Sequence, residues 1–266
     1  MEVPASIYQF MQYPLPTWET EGTTELVKAF SASASVEPPN SSLGELVYSG
    51  SGGATYLRIA MQDSRDFYDE NGLLALSGAE VQDIKAASKI GGALEFLEMV
   101  DPVAPCISHL VRTMEVVGSE DPDTDVSYSH PDLPATIFFS VCKDNGTASR
   151  LRVAESILHE TMHLKLSLIE RMIPVVIPGA SGRFFSPWRD ELRPAQGVVH
   201  GIFVFRTLLE FFKEAEGWAK DREAVDHVRE RRFQIAEELA SLSGFGRCPD
   251  LTPAGASLIA CLLPSS

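Results

Sequence analysis

Apolar side chains recur every three or four residues over Ala79–Val100, which predicts a helix, with Ser77 ahead of Glu80 as a capping box at its start. Ala54 to Tyr68 and Thr24 to Phe30 carry the same period and predict two more helices. From His109 to Val117 the rhythm shortens, and Leu110, Val111, Met114, Val116 and Val117 read as a strand. An acidic turn follows (Glu120, Asp121, Asp123, Asp125), then strands at 126–129 and 135–141. The second of these, Ala-Thr-Ile-Phe-Phe-Ser-Val, is β-branched and aromatic. Asn145-Gly146 turns the chain into a long apolar helix that runs past Ile169. Ile173 to Pro187, broken by Pro174, Pro178, Gly179 and Gly182, predicts a loop and a candidate lid. Helices are predicted again from Pro194 to about Glu216, over 221–242 and over 253–263. Residues 31–44, rich in Ser, Ala and Pro, read as a loop.

The long apolar helix carries His159-Glu160-Thr161-Met162-His163, an H-E-x-x-H pattern. Residues four apart on a helix lie one above the other, so both imidazoles face one point, and Glu160 projects beside them. Ala154, Ile157, Leu158, Met162, Leu164, Leu166, Leu168 and Ile169 make the segment apolar on nearly every side. Three ionisable groups in such surroundings need a compensating partner, and a divalent metal ion supplies it. Two histidines do not hold a metal tightly, and a third protein ligand is required. His200 is the candidate: it sits in the apolar helix that starts near Pro194, flanked by Gly197 and Gly201, which permit close approach of backbones. Asp190, Glu191 and Glu210 are the carboxylate alternatives, whereas His109, His130 and His227 lack a comparable context.

These elements predict an α+β, predominantly helical fold: a zincin-like arrangement of a small antiparallel sheet beside the H-E-x-x-H helix and a second metal-ligand helix. The expected organisation is a mostly helical N-terminal region, 1–118, a candidate for substrate recognition, and a metal-binding catalytic region, 119–266. At 266 residues the chain can bury a large core as one domain or two packed ones. A formal charge of -15 argues against a nucleic-acid partner. Met1-Glu2-Val3-Pro4 opens no secretory signal, no apolar run reaches the length that spans a bilayer, and the four cysteines lack C-x-x-C spacing; a cytoplasmic protein with reduced, buried thiols is expected. Within this acidic chain, Arg183, Arg189 and Arg193 cluster just before His200, and arginine is the side chain that grips a carboxylate with two hydrogen bonds. Ion pairing with Asp190 and Glu191 is the competing use of that cluster.

Three stretches together resemble the H-E-x-x-H motif-containing peptide-modification proteins, which act on ribosomally made precursor peptides. They are Ser156-Ile-Leu-His-Glu-Thr-Met-His-Leu-Lys-Leu, Ser186-Pro-Trp-Arg-Asp-Glu-Leu-Arg-Pro and Gly197-Val-Val-His-Gly-Ile-Phe-Val-Phe, within roughly residues 125 to 216. The first is shared by many metallopeptidases; its combination with P-W-R and H-G is more specific. The resemblance implies an iron(II) enzyme that uses 2-oxoglutarate to hydroxylate a side-chain β-carbon of a precursor peptide. It implies iron held by His159, His163 and His200, and Arg189 or Arg193 on the distal carboxylate of the cosubstrate. A departure is that such oxygenases normally use two histidines and a carboxylate. The alternative is a zinc-dependent peptidase or other hydrolase with Glu160 as general base and a donor such as Tyr128.

Overall fold

A computed structural model describes residues 3–31, 44–59, 65–121, 124–130, 133, 135–217, 219 and 221–263. Most of the predicted loop at 31–44, and Asp123 of the acidic turn, lie outside the described residues. The fold is mixed α/β, rich in helix, with one small sheet and a separate hairpin. Its contacts divide the chain into two units that interleave in sequence: Met1–Ala34, Lys165–Ala219 and Val225–Ser266 form the first, Ser35–Leu164 and Lys220–Ala224 the second.

The chain opens in the first unit with α1 (Ala5–Gln12) and α2 (Glu21–Ser31). It then builds the sheet of the second unit, beginning with a hairpin of β1 (Glu45–Gly50) and β2 (Gly53–Arg58). Ala54–Arg58, predicted as helix, is therefore strand. Gly53 adopts φ 131°, and a Cβ on Gly52 would come within 2.3 Å of the His109 backbone nitrogen, so the Gly-Ser-Gly-Gly turn needs both glycines. Next come α3 (Arg65–Glu70), the short β3 (Leu74–Ala75) and α4 (Gly78–Asp83). The capping box forms as predicted, with Ser77 Oγ accepting from the Glu80 amide and the Glu80 carboxylate accepting from the Ser77 amide. Those bonds from Ser77 hold the Glu80 carboxyl below its ordinary range. The predicted single helix breaks where Lys85 turns left-handed (φ 54°), and α5 (Ala86–Glu98) continues.

Residues 103–110, partly read as strand, form α6 (Val103–Leu110); β4 (Thr113–Gly118), β5 (Ser127–Ser129) and β6 (Thr136–Phe139) follow. The sheet order is β1-β2-β4-β6-β5, with β3 against the end of β4. It is mixed rather than antiparallel, because β2, β4 and β6 are parallel neighbours joined by long crossovers. Every residue of β6 is buried, which explains its unbroken apolar run. β5 is antiparallel to β6 and forms the edge. No contact boundary falls near residue 118, since β4 pairs with β6 inside the same unit.

α7 (Thr147–Glu170) carries the chain back to the first unit. There Lys165, almost fully buried, donates to the carbonyls of Thr17 (2.7 Å) and Glu19 (3.2 Å) and to the Glu19 carboxylate (3.1 Å). A hairpin of β7 (Arg183–Ser186) and β8 (Glu191–Pro194) leads into α8 (Ala195–Glu216), α9 (Arg222–Ser241) and α10 (Pro253–Leu262). These three helices match the predicted ones to within one or two residues. The candidate lid at 173–187 is anchored instead: Val175 is buried and its carbonyl accepts from Thr252, while the Ile177 amide donates to Asp250. All four cysteines are free, but only Cys106 and Cys142 are buried and Cys261 is exposed. No helix among the described residues is long and apolar enough to cross a membrane.

Candidate metal centre

Most of α7 is buried, and a partly open stripe at three- and four-residue spacing holds Arg152, Glu155, His159, His163 and Ser167. Both histidines therefore lie on the accessible face of a helix whose other faces are packed. Their Nε2 atoms are 3.2 Å apart, and their rings are tilted by 59° with centroids at 4.8 Å. A divalent ion held at about 2.1 Å by two imidazoles separates the nitrogens by about 3.0 Å at octahedral and 3.4 Å at tetrahedral angles. The observed spacing lies between these values.

Glu160 is 3% exposed. One carboxylate oxygen accepts from the Ser129 hydroxyl at 2.7 Å, and the other lies 3.7 Å from His159 Nε2. Ser129 is the last residue of β5, so the sheet edge fixes the carboxylate in place beside the histidines. Nothing in the sequence marked Ser129, since its partner is 31 residues away. Tyr128, the candidate donor of the hydrolase reading, gives its phenol proton to Asn71 Oδ1 at 2.6 Å. Burial, then the charge of Glu160, raise its pKa. His130 joins the same aromatic cluster, its ring 5.7 Å from Phe67 and 6.1 Å from Tyr128.

The donor atoms of His159, Glu160 and His163 all lie within 4.8 Å of one another. Two imidazoles and a buried carboxylate fit a divalent cation in donor type and in charge: the ion offsets the desolvated anion and gives both nitrogen lone pairs an acceptor.

The remaining predicted residues belong to the first unit. His200 Nε2 lies 2.8 Å from Glu170 Oε2, which also accepts from Gln196 at 3.1 Å. The arginines flank this helix. Arg193, in β8, packs against Gly197 of α8, where a Cβ would approach its Nε to 3.3 Å. Its ion pair with Glu191 is 3.7 Å long and partly exposed, so the competing use of the cluster is a weak interaction. Arg189 is exposed, and Arg183 donates to the Leu192 carbonyl at 2.7 Å. Asp190 sits in the hairpin turn with φ 50°, and Glu210 pairs with Arg206 and Lys213.

Trp188 ties the hairpin to the helix. Its ring stacks on Phe205 (4.7 Å, 3°) and covers Gly201, where a Cβ would meet ring carbons at 2.3 and 2.5 Å. The P-W-R and H-G stretches are thus two halves of one packing arrangement. Gly201→Ala will consequently destabilise the protein by about 1–3 kcal/mol, because the stacked ring must move. Chemical denaturation checks this, and the loss should shrink in a Trp188→Leu background; an unaltered unfolding midpoint in the single variant would show that the ring is not confined.

The chain matches no protein-family model, and no curated protein matches it significantly.

Proposed function

We propose that this protein is a metal-dependent enzyme of peptide natural-product maturation, an iron(II)- and 2-oxoglutarate-dependent hydroxylase of a side-chain β-carbon in a precursor peptide. The observation that carries the reading is the convergence of His159 and His163 beside a buried, positioned carboxylate. Non-haem iron oxygenases normally use two imidazoles and a carboxylate, and this reading departs from that set by taking a third imidazole, with Glu160 standing beside the ligands. The third protein ligand of this reading is His200, taken from the sequence, and Arg193 or Arg189 is its partner for the distal cosubstrate carboxylate. Trp188 supports it by holding the arginine hairpin against the helix of His200. A zincin-like layout also suits it: the edge strand β5, its antiparallel neighbour β6, then the H-E-x-x-H helix in chain order. Such an edge offers backbone groups to an extended peptide.

Bound iron and 2-oxoglutarate together supply the activation of dioxygen. The chain's own residues do the positioning. His159 and His163 orient their nitrogens from one rigid helix, and Ser129 keeps Glu160 from rotating away. Arg193, with Gly197 beneath it, presents a guanidinium to a carboxylate.

One observation favours a zinc hydrolase as the second reading: Glu160 stands where a general base would act, 3.7 Å from His159 Nε2. Three measurements separate the readings. Anaerobic loading with iron(II) followed by 2-oxoglutarate should give a weak visible charge-transfer band; no band with metal fully loaded favours zinc. Glu160→Gln should abolish a hydrolase, by about 100-fold or more, but leave metal binding and some turnover in the oxygenase. With a precursor peptide, mass spectrometry reads the product directly: one added oxygen supports hydroxylation, two fragments support cleavage.

A further inference from the structure

Between α8 and α9, within the first unit, lies a cavity of about 560 Å³. Four cations line it: Arg206 and Lys213 from α8, Arg229 and Arg232 from α9. Arg206 and Lys213 share one carboxylate, Glu210, at 2.8 and 2.9 Å. Arg229 and Arg232 likewise share Glu216, the first at 3.3 Å and the second closer still. Each carboxylate serves two cations, so among the described residues these ion pairs leave the cluster an excess of two positive charges, in a chain whose formal charge is -15. The structure draws part of the mixed charges of α9 together with those of α8.

A second observation is independent of the charge count. The Nε atoms of Arg206 and Arg232 are buried and have no hydrogen-bond partner among the described residues. Buried donors left unsatisfied are costly, and a bound anion toward which either guanidinium turns would relieve them. Arg206 is pre-oriented by the Leu262 carbonyl, 3.1 Å from its Nη1. Glu216, the partner of Arg229 and Arg232, lines the cavity too, and the remaining lining is apolar. Leu209 and Leu239 are buried at 8% and 1% exposure, while Phe233 is 66% exposed at the mouth. An exposed phenylalanine beside a basic cluster presents an apolar contact next to an anion-binding one.

We propose that this cavity binds an amphipathic organic anion, a carboxylate or phosphate head joined to an apolar body. Its volume falls within the range of about 300–1,000 Å³ typical of small-ligand sites. The arginines take the head through charge-assisted hydrogen bonds, and Leu209, Leu239 and Phe233 take the body. Two spare positive charges match a phosphate monoester better than a carboxylate. The site uses none of the metal-centre residues, and its test does not depend on the metal.

Calorimetric titration of the full-length protein with hexyl phosphate, hexanoate, hexanol and inorganic phosphate tests this. Hexyl phosphate should bind saturably at one site and more tightly than hexanoate, with hexanol and inorganic phosphate weaker by about tenfold or more. Arg229→Gln/Arg232→Gln should weaken hexyl phosphate by about tenfold or more. Phe233→Ala, at an exposed position that leaves the core intact, should weaken hexyl phosphate but not inorganic phosphate. Equal binding of hexanol and hexyl phosphate would overturn the proposal. So would the absence of saturable binding by either organic anion, or unchanged affinity in both the folded double-arginine variant and Phe233→Ala.

Discussion

His163→Ala will lose divalent metal: after loading and desalting, occupancy measured by elemental analysis should drop to background, and affinity by well over about 100-fold, the upper end for a residue that only supports a ligand. The size follows from the geometry. His159 and His163 hold their Nε2 atoms 3.2 Å apart on adjacent turns of one helix, so losing either breaks the one pair of donors that a single helix fixes, beside a carboxylate that Ser129 already engages. The fold should survive, since His163 lies on the partly open stripe of α7 and its removal empties no core position. A circular dichroism spectrum like that of the parent separates loss of metal from loss of structure. His200→Ala extends the test. The proposed ligand set requires it to lose metal too, and retained full occupancy would remove His200 from that set. Parent-like loading of His163→Ala would remove the metal centre altogether.

What could be read from the sequence was what is local along the chain. The H-E-x-x-H pair is legible because four-residue spacing on a helix fixes both rings without help from elsewhere. The helices at 195–216 and 253–262 were legible because their apolar periods open at Pro194 and Pro253. Ala54–Arg58 misled because its apolar positions fit either period; the decision came from hydrogen bonds to β1 on one side and β4 on the other. The strand directions were equally hidden, since parallel pairing depends on crossovers rather than on any residue within the strands. Ser129 with Glu160 and Trp188 with Gly201 are the same lesson at the candidate site: each pairing joins a loop or strand to a helix and leaves no periodic trace.

The least legible feature carries the second large prediction. Arg58 and Glu115 are register partners on the parallel strands β2 and β4, and the Arg58 guanidinium bonds the Glu115 carboxylate while the Tyr68 hydroxyl donates to its other oxygen. Glu115 is 2% exposed, and on its other side it is in register with Phe138 of β6, the strand that carries the edge strand of Ser129. Arg58→Met keeps much of the side-chain volume but leaves a desolvated carboxylate with the tyrosine as its one remaining partner in this trio. Removing one member of a fully buried pair costs about 3–5 kcal/mol; with Arg58 one-fifth exposed, about 2–4 kcal/mol is expected. Urea denaturation measures it. Adding Glu115→Gln should recover part of the loss, because a neutral amide needs no counter-charge. A loss below about 1 kcal/mol would mean that solvent already screens the pair. If the prediction holds, the carboxylate costs stability wherever its partner is missing, and strand register is what it enforces: sliding β2 by one residue against β4 would turn Arg58 to the opposite face and strand Glu115 in the core.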